Sequence, residues 1–324
     1  MKSSDLEAAQ ELDAARGGLV LCDLAHLGTI AATGPDTDAF LQGQLSSDIR
    51  QLEPEHAQYS SYNTPKGRML ASFLAYRTTA AVHLQLPREL VEAVRKRLAM
   101  FVLRSKVELV DASKTFVRLG IAGAGAEALV AATVGGAPAA TLEVTQTEQA
   151  ISIRLPGDRF EIVAEPEQAR KLWPALAAKA RPVRAAVWDW LEIRAGIPVV
   201  TAATQDKFVP QMVNLELLGG VSFQKGCYPG QEIVARAQYL GKLKRRMYRA
   251  HLAGSVAPVA GTELYSRDLD GQASGMVVNA ALAPGGGFDL LAVIQMASTE
   301  AHPIHLGAPD GPVLEIEPLP YPVA

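Results

Sequence analysis

Short stretches with apolar residues at every second position alternate along the chain with longer stretches that repeat them at helical spacing. Residues 69–76 and 81–86 show the first pattern on either side of a short polar turn, which predicts two antiparallel strands. Residues 87–103 show the second, with a proline at the start and apolar residues at helical spacing as far as Phe101, which predicts an amphipathic helix. Residues 28–49 combine a strand, a Gly-Pro-Asp turn and a helix.

Strand pairs and single helices continue to alternate through the middle of the chain. This order predicts an α+β fold with antiparallel sheets layered on helices, not a doubly wound parallel sheet. The predicted strands are 107–111, 115–121, 141–145 and 150–164, and the predicted helices begin near residues 125, 166 and 185. After about residue 243, short apolar stretches separated by Gly, Pro and Asp predict a small β-barrel or sandwich.

Composition and charge narrow the class of protein. The chain has 324 residues, enough for two or three compact units, and a formal net charge of −3, which argues against a protein that coats nucleic acid. We therefore expect no direct nucleic-acid binding. Its apolar runs are too short for a membrane span, and its first residues resemble neither a secretory signal nor a transit peptide, so we expect a cytoplasmic protein with no membrane partner.

The chain contains 2 cysteines, Cys22 and Cys227, which are far apart in sequence. That number is too small for a disulfide framework or for a self-contained iron–sulfur cluster, which normally takes about four cysteine ligands. We predict no metal site.

A glycine-rich stretch, "GIAGAGAEAL" (120–129), permits a second interpretation. Gly123, Gly125 and Ala128 fit the pattern G-x-G-x-x-A of dinucleotide-binding proteins, in which a pyrophosphate rests on a helix N-terminus. The neighbouring strands are predicted to be antiparallel, which favours a plain strand–turn–helix corner. A dinucleotide-dependent oxidoreductase stays open as a minor alternative.

The stretch "FQKGCYPGQE" (223–232) concentrates special residues around a lone cysteine. Pro229 and Gly230 occupy the second and third positions that a type II turn favours, and a helix is predicted to follow. Cys227 then precedes a helix N-terminus, with Lys225 nearby, and both surroundings lower the pKa of a thiol. The alternative is a small, buried and inert cysteine.

"KGCYPGQE" (225–232) resembles the signature K-G-C-[aromatic]-x-G-Q-E of the YgfZ family, folate-binding proteins related to the T-protein (aminomethyltransferase, GcvT) of the glycine cleavage system. Further matches are "GPDTDAFLQGQLSSD" (34–48), "KGRMLASF" (66–73), "WDWLEIRAGIPVV" (188–200) and "IEPLPY" (316–321). The resemblance implies a three-module GcvT-like folate-binding fold with antiparallel sheets, a ferredoxin-like middle and a C-terminal β-barrel. The modules implied are 1–62 with 183–243 for folate and the signature, 63–182 for the ferredoxin-like part, and 244–324 for the barrel.

The resemblance also implies a function and a set of site residues. The function is support of iron–sulfur cluster assembly or repair, and thereby of enzymes that methylthiolate tRNA, with tetrahydrofolate or a folate derivative as cofactor and iron–sulfur client enzymes or assembly factors as partners. Cys227 and Lys225 would carry the chemistry, and Trp188 would lie against the folate. Further cofactor-binding residues by the same resemblance are Tyr228, Gln231, Glu232, Lys66, Arg68, Gln211 and Asn214.

Two departures from the T-proteins bear on activity. Their pterin-binding carboxylate corresponds in position to Arg194, and the loop 63–69 offers Lys66 and Arg68 but lacks the aspartate that aminomethyl transfer uses. The cations suit an anionic group such as the glutamate tail of folate. We therefore expect no classical turnover, and the alternative is a tetrahydrofolate-dependent aminomethyl or one-carbon transferase.

Overall fold

A computed structural model describes residues 3–241 and 243–323, with side chains described from residue 7 onwards. Residues 1, 2, 242 and 324, which belong to the predicted modules, lie outside the described residues. Within the described part of the chain, no helix combines the length and the apolar character that crossing a bilayer requires.

Helices and short strands alternate up to about residue 240, and strands dominate afterwards. The helices are α1 Ser3–Gly17, α2 Thr37–Gln42, α3 Arg88–Ala99, α4 Ala126–Val134, α5 Pro166–Ala177, α6 Ala185–Arg194, α7 Gln231–Tyr239 and α8 Met296–Ala301. The strands up to α6 are β1 Val20–Asp23, β2 Leu27–Thr33, β3 Gln58–Asn63, β4 Met69–Arg77, β5 Val82–Pro87, β6 Glu108–Asp111, β7 Val117–Ala122, β8 Val144–Gln146, β9 Ile151–Leu155, β10 Arg159–Ala164 and β11 Arg181–Val183. The later strands are β12 Arg245–Leu252, β13 Glu263–Tyr265, β14 Ala273–Leu282, β15 Phe288–Gln295, β16 Ile304–Leu306 and β17 Val313–Glu317.

A six-stranded sheet with the order β11-β1-β7-β10-β9-β8 has two contrasting faces. Alternate residues such as Leu119, Ile121 and Phe160 form an apolar core with residues of α4 and α5. Because side chains alternate across a strand, the residues between them lie on the opposite face. That face carries the charged residues Arg118 and Glu161, both buried.

A second sheet has five strands in the order β3-β4-β5-β2-β6. Strand β5 pairs antiparallel with β2 and β4, as the alternating pattern of 69–76 and 81–86 predicts. Its strands carry buried polar residues, among them Thr29, His83 and Gln85, between apolar ones.

The C-terminal strands β12 to β17 close into a barrel with the order β12-β15-β14-β13-β16-β17. Its interior is apolar and includes Ala250, Leu264, Val277 and Leu290. Closure leaves the barrel without an open edge, which accounts for the stability of such short strands. The predicted C-terminal β-barrel is confirmed.

The chain divides into two compact units, each built from discontinuous segments. Unit 1 comprises Met1–Leu41, Ile49–Gln58 and Phe73–Trp188, and unit 2 comprises Gln42–Asp48, Tyr59–Ser72 and Asp189–Ala324. Strand β4 therefore begins in unit 2 and ends in unit 1. The three-module division remains a prediction.

Helix α3 is shorter than the sequence predicts. It buries Leu90, Val94 and Leu98 as its spacing predicts, but it ends at Ala99, and Phe101 is exposed because it follows the helix.

Strand β7, which leads into the G-x-G turn of the glycine-rich stretch, pairs antiparallel with both β1 and β10. A dinucleotide-binding fold requires a parallel sheet, so the glycines mark the strand–turn–helix corner.

Candidate functional site

The signature segment folds as a tight turn that opens helix α7. The backbone N–H of Gln231 donates to the carbonyl of Tyr228 at 3.1 Å, and Gly230 has φ 79° and ψ 3°. These are the values of a type II turn, so the predicted turn is confirmed. The residue of α7 that is buried is Val234, whereas Ile233 is exposed. Cys227 precedes the turn and is exposed as a free thiol.

Lys225 holds the signature against a second loop of unit 2. Its ammonium donates to the carbonyl oxygens of Leu45 at 2.6 Å and Ser47 at 2.8 Å. It also lies 5.1 Å from the centre of the Tyr228 ring, a cation–π contact. Lys225 is only 8% exposed, and burial of its charge is compensated by these acceptors. Its predicted part in the chemistry of the signature stays a prediction.

The loop 63–69, which carries Lys66 and Arg68, packs directly on the signature turn. A Cβ placed on Gly230 would lie 2.5 Å from the Cα of Gly67 and from the carbonyl oxygen of Thr64. The loop closes on itself through a bond of 2.8 Å from the Thr64 amide to the Arg68 carbonyl. Lys66 is exposed.

The segment that contains Gln211 and Asn214 links the signature helix to the barrel. Gln211 donates through Nε2 to the carbonyl of Val234 in α7 at 2.7 Å, and Asn214 donates through Nδ2 to the carbonyl of Met247 in β12 at 3.0 Å. Arg246 forms an ion pair with Glu216 and also donates to the Gln211 carbonyl. Burial raises the pKa of Glu216 despite this arginine. Both Gln211 and Asn214 therefore order unit 2, and their predicted contact with a cofactor stays a prediction.

Five of the predicted residues lie within the signature and differ in exposure. Lys225 and Tyr228 are buried, Gln231 is half-buried, and Cys227 and Glu232 are exposed. Burial raises the pKa of Tyr228 to about 12, so its hydroxyl stays protonated. Unit 2 thus gathers every predicted site residue except Trp188, which belongs to unit 1.

Unit 1 contains a buried polar network, here called the interlayer cluster: Thr29, Tyr76, His83, Gln85, Arg118 and Glu161. Gln85 donates through Nε2 to Glu161 at 2.8 Å and accepts through Oε1 from Arg118 at 3.1 Å. Arg118 also contacts the Thr29 hydroxyl, and its Nε lies 3.9 Å from Glu161. The cluster links the strands of the six-stranded and five-stranded sheets inside one unit.

The surroundings within the interlayer cluster keep the side chains of His83 and Tyr76 uncharged beside Arg118 and Glu161. His83 stacks on Tyr76 with ring centres 4.9 Å apart. Burial, followed by the nearby Arg118 charge, lowers the pKa of His83 to about 4. Burial raises the pKa of Tyr76 to about 12. Both rings are therefore neutral at neutral pH.

Trp188 lies on the polar face of the six-stranded sheet. A Cβ on Gly120 would lie 2.5 Å from its ring, so the absence of a side chain there lets the indole pack directly against β7. The Arg159 guanidinium is 5.1 Å from the ring centre. Gly120 pairs with Glu161 across the sheet, which places Glu161 on the same face as Trp188. Trp188 is 1% exposed, and its Nε1 has no hydrogen-bond partner among the described residues.

Comparison with known proteins places this arrangement in a family. Residues 2–219 match the GCVT N-terminal domain. The chain is 33% identical to the tRNA-modifying protein YgfZ of Klebsiella pneumoniae (strain 342), with 96% of each chain covered. It is 32% identical to the tRNA-modifying protein YgfZ of Yersinia pestis (strain Pestoides F), with 94% of this chain and 93% of that one covered. The chain belongs to the YgfZ family.

The fold of this YgfZ-family chain is that of an aminomethyltransferase. The solved structure of the glycine cleavage system aminomethyltransferase T from Bartonella henselae matches it with a TM-score of 0.78. The match covers 97% of this chain and 89% of that one at 20% identity, so it concerns the fold. The expected aminomethyltransferase-like fold with antiparallel sheets is confirmed.

The interlayer cluster is a candidate ligand site that the sequence motifs did not predict. Arg194, which corresponds in sequence position to the pterin-binding carboxylate of the T-proteins, lies at the surface, with its guanidinium 5.8 Å from the Trp190 ring centre. A usable signal was present in the YgfZ-family sequence. Arg118 and Glu161 each lie between apolar residues of their strands, and a charge on a buried strand needs a partner or a ligand.

Proposed function

We propose that this chain is a folate-binding protein that supports tRNA modification by helping to assemble or repair iron–sulfur clusters. The names of its relatives support the tRNA-related part, since both are called tRNA-modifying proteins. The aminomethyltransferase-like fold supports a folate derivative as the cofactor. The involvement of iron–sulfur clusters rests on the family resemblance and on the exposed thiol of Cys227.

The single observation that carries the folate assignment is the interlayer cluster together with Trp188. A pterin is flat and offers both N–H donors and ring acceptors at its edge. Glu161 supplies a buried carboxylate, Arg118 and Gln85 supply donors, and Trp188 supplies an apolar plane. Two ring nitrogens, Nε1 of Trp188 and Nδ1 of His83, are buried without a hydrogen-bond partner among the described residues. Buried polar atoms of this kind are rare in the absence of a ligand or an ordered water.

These residues fit tetrahydrofolate, and we assign the pterin to them. When bound, tetrahydrofolate supplies one-carbon carrier and reducing chemistry. The chain's own residues would orient the pterin: Glu161 by accepting from its amino and ring N–H groups, and Trp188 by contacting its face.

Cys227 is the proposed functional thiol. It is exposed, and it lies directly before the turn that opens α7. A thiolate there would serve as a transient ligand or a redox group towards a client protein. Lys225 positions the segment by binding the Leu45 and Ser47 carbonyls.

A thermal-shift titration with tetrahydrofolate tests the folate assignment. We expect the wild type to be stabilised, Trp188→Ala to lose at least tenfold in affinity, and NADPH to stabilise neither protein. Glu161→Gln, which retains the shape of the side chain and removes its charge, should also weaken binding. Stabilisation by NADPH alone would overturn the proposal, as would equal folate affinity in all three proteins.

A complementation assay tests the thiol. In a strain that lacks its own copy of the gene, Cys227→Ala should fold normally and fail to restore tRNA methylthiolation. Cys22→Ala, which removes the buried cysteine, is the matched control and should restore it. Full activity of Cys227→Ala would remove Cys227 from the function.

The alternative is a tetrahydrofolate-dependent one-carbon transferase. It predicts turnover of an aminomethyl or methyl donor in the presence of tetrahydrofolate. The loop 63–69 contains no acidic residue, and this sequence feature favours the non-enzymatic function. Measured release of ammonia from an aminomethyl donor would reverse that preference.

A further inference from the structure

The turn between α3 and β6 exposes large apolar side chains in unit 1. We call residues 100–106 the α3 tip. Leu103 is 87% exposed, Met100 72% and Phe101 44%. Three such residues within four positions form a local apolar surface, unlike the single exposed apolar residues that are common on proteins.

The α3 tip is built on a fixed base. Helix α3 is anchored through the buried residues Leu90, Val94 and Leu98. At the other end, the backbone N–H of Lys106 donates to the Asp36 carboxylate at 2.7 Å. Within the tip, the amide of Ser105 donates to the Val102 carbonyl at 2.8 Å. The exposed side chains therefore have a defined backbone, which lowers the entropy lost when a partner binds.

Leu103 has a backbone conformation and an exposure that the stability of the fold does not explain. Its φ is 47°, in the left-handed region that favours glycine and asparagine and disfavours leucine. A leucine here strains the backbone and buries almost none of its side chain. Glycine or asparagine would suit the fold better, so stability does not account for the residue.

Cations surround the apolar side chains. Arg97 precedes them in the last turn of α3, and Arg104 and Lys106 lie within the tip, all with exposed side chains, whereas Lys96 is paired with Glu92 at 3.0 Å. An apolar centre edged by charged groups is the usual anatomy of a protein interface, in which a few large residues carry the binding energy. Because the charged groups at this edge are cations, the complementary surface of a partner carries carboxylates.

We propose that the α3 tip is a docking site for a protein partner that presents an apolar pocket bordered by carboxylates. Leu103 and Phe101 are the anchors that enter the pocket, and Arg97 and Arg104 pair with its acidic border. We commit to a folded protein surface over a nucleic acid because the two most exposed side chains of the tip, Leu103 and Met100, are aliphatic and are buried by an apolar pocket, whereas the cations and Phe101 alone would also suit RNA. An anionic bilayer is disfavoured since three apolar side chains give only marginal insertion and Glu108 at the base of the tip is repelled by it.

The experiment uses the full chain in the cells from which the gene derives. The photoreactive residue p-benzoylphenylalanine replaces Phe101, an aromatic-for-aromatic exchange, and irradiated adducts are identified by mass spectrometry. The same residue at Val259, an exposed position of unit 2, is the background control. A protein that crosslinks to position 101 but not to position 259 is then purified. Its binding is titrated against the wild type, Leu103→Asn, Arg104→Glu and Val259→Asn.

We expect Leu103→Asn to weaken binding of the partner at least tenfold. The thermal midpoint of this variant should equal or exceed that of the wild type, because asparagine tolerates the left-handed backbone. Arg104→Glu should weaken binding more at 50 mM salt than at 300 mM, and Val259→Asn should leave it unchanged. Adducts of RNA or lipid alone would overturn the proposal. So would adducts no different from those at Val259, or a partner whose affinity is insensitive to Leu103→Asn.

Discussion

Gly230 of the signature turn and Gly67 of the neighbouring loop touch backbone to backbone. A Cβ on Gly230 would lie 2.5 Å from both the Cα and the amide nitrogen of Gly67. Gly230 also has φ 79°, so the turn and the contact both require glycine. The two loops that bear Lys66 and Cys227 are thereby held in a fixed register within unit 2.

Gly230→Ala should reduce the free energy of unfolding by about 2–4 kcal/mol, because the left-handed backbone and the overlap with Gly67 both act against a side chain. Gly226→Ala is a matched control four residues away, since a Cβ there meets nothing within 4 Å. Urea unfolding of the two variants measures the difference. Equal stability of Gly230→Ala and Gly226→Ala would show that the loops are not locked together.

Lys225→Met should destabilise the protein by about 1–3 kcal/mol. Methionine keeps most of the volume, but the carbonyls of Leu45 and Ser47 lose their donor while remaining buried. The control is Lys66→Met in the adjacent loop, where the ammonium is exposed and a change within about 0.5 kcal/mol is expected. Thermal unfolding of both variants gives the comparison, and a Lys225→Met midpoint equal to that of Lys66→Met would contradict the positioning role.

The sequence predicted the elements better than it predicted the site. Period-two stretches and turn residues located β4, β5 and the C-terminal barrel because those signals are local. Helical spacing correctly placed Leu98 in the core but extended to Phe101, since periodicity does not mark where a helix ends when no cap residue follows. The sequence shows charges at Arg118 and Glu161 within predicted strands, but it does not show which layer buries them, because that depends on how the strands assemble into sheets.

The contact between Gly120 and Trp188 shows the same limit. In sequence, Gly120 belongs to a glycine-rich stretch that resembles a phosphate-binding loop. In the fold, its missing side chain provides the surface on which the indole lies. These two residues, which lie far apart in sequence, come into contact only because the strands assemble into the sheet on which helix α6 packs.

Gly120→Ala should therefore displace the Trp188 ring. The φ of Gly120 is not in the left-handed region, so the effect is one of overlap alone, and we expect a loss of about 1–3 kcal/mol in stability together with a changed near-ultraviolet circular dichroism spectrum. If the proposed folate site is correct, tetrahydrofolate affinity falls as well. Gly17→Ala, where a Cβ meets nothing within 4 Å, is the control for substitution itself. An unchanged spectrum in Gly120→Ala would contradict the packing described.

His83 makes the stability of unit 1 depend on pH. Burial and the Arg118 charge lower its pKa from 6.5 to about 4 in the folded chain. Between these values the unfolded chain binds the proton and the folded chain does not, so stability falls as the pH falls. From pH 7.5 to pH 5 this group alone should remove about 2 kcal/mol.

Replacing His83 by glutamine should abolish that contribution. The free energy of unfolding of His83→Gln, measured in urea at pH 7.5 and pH 5, should decrease by about 2 kcal/mol less than that of the wild type. His56→Gln, which removes an exposed imidazole of the same unit, controls for the loss of a histidine. Identical pH dependence in the wild type and His83→Gln would mean that His83 takes up its proton equally in both states. The interlayer cluster would then have to be open enough to water to solvate a second positive charge beside Arg118.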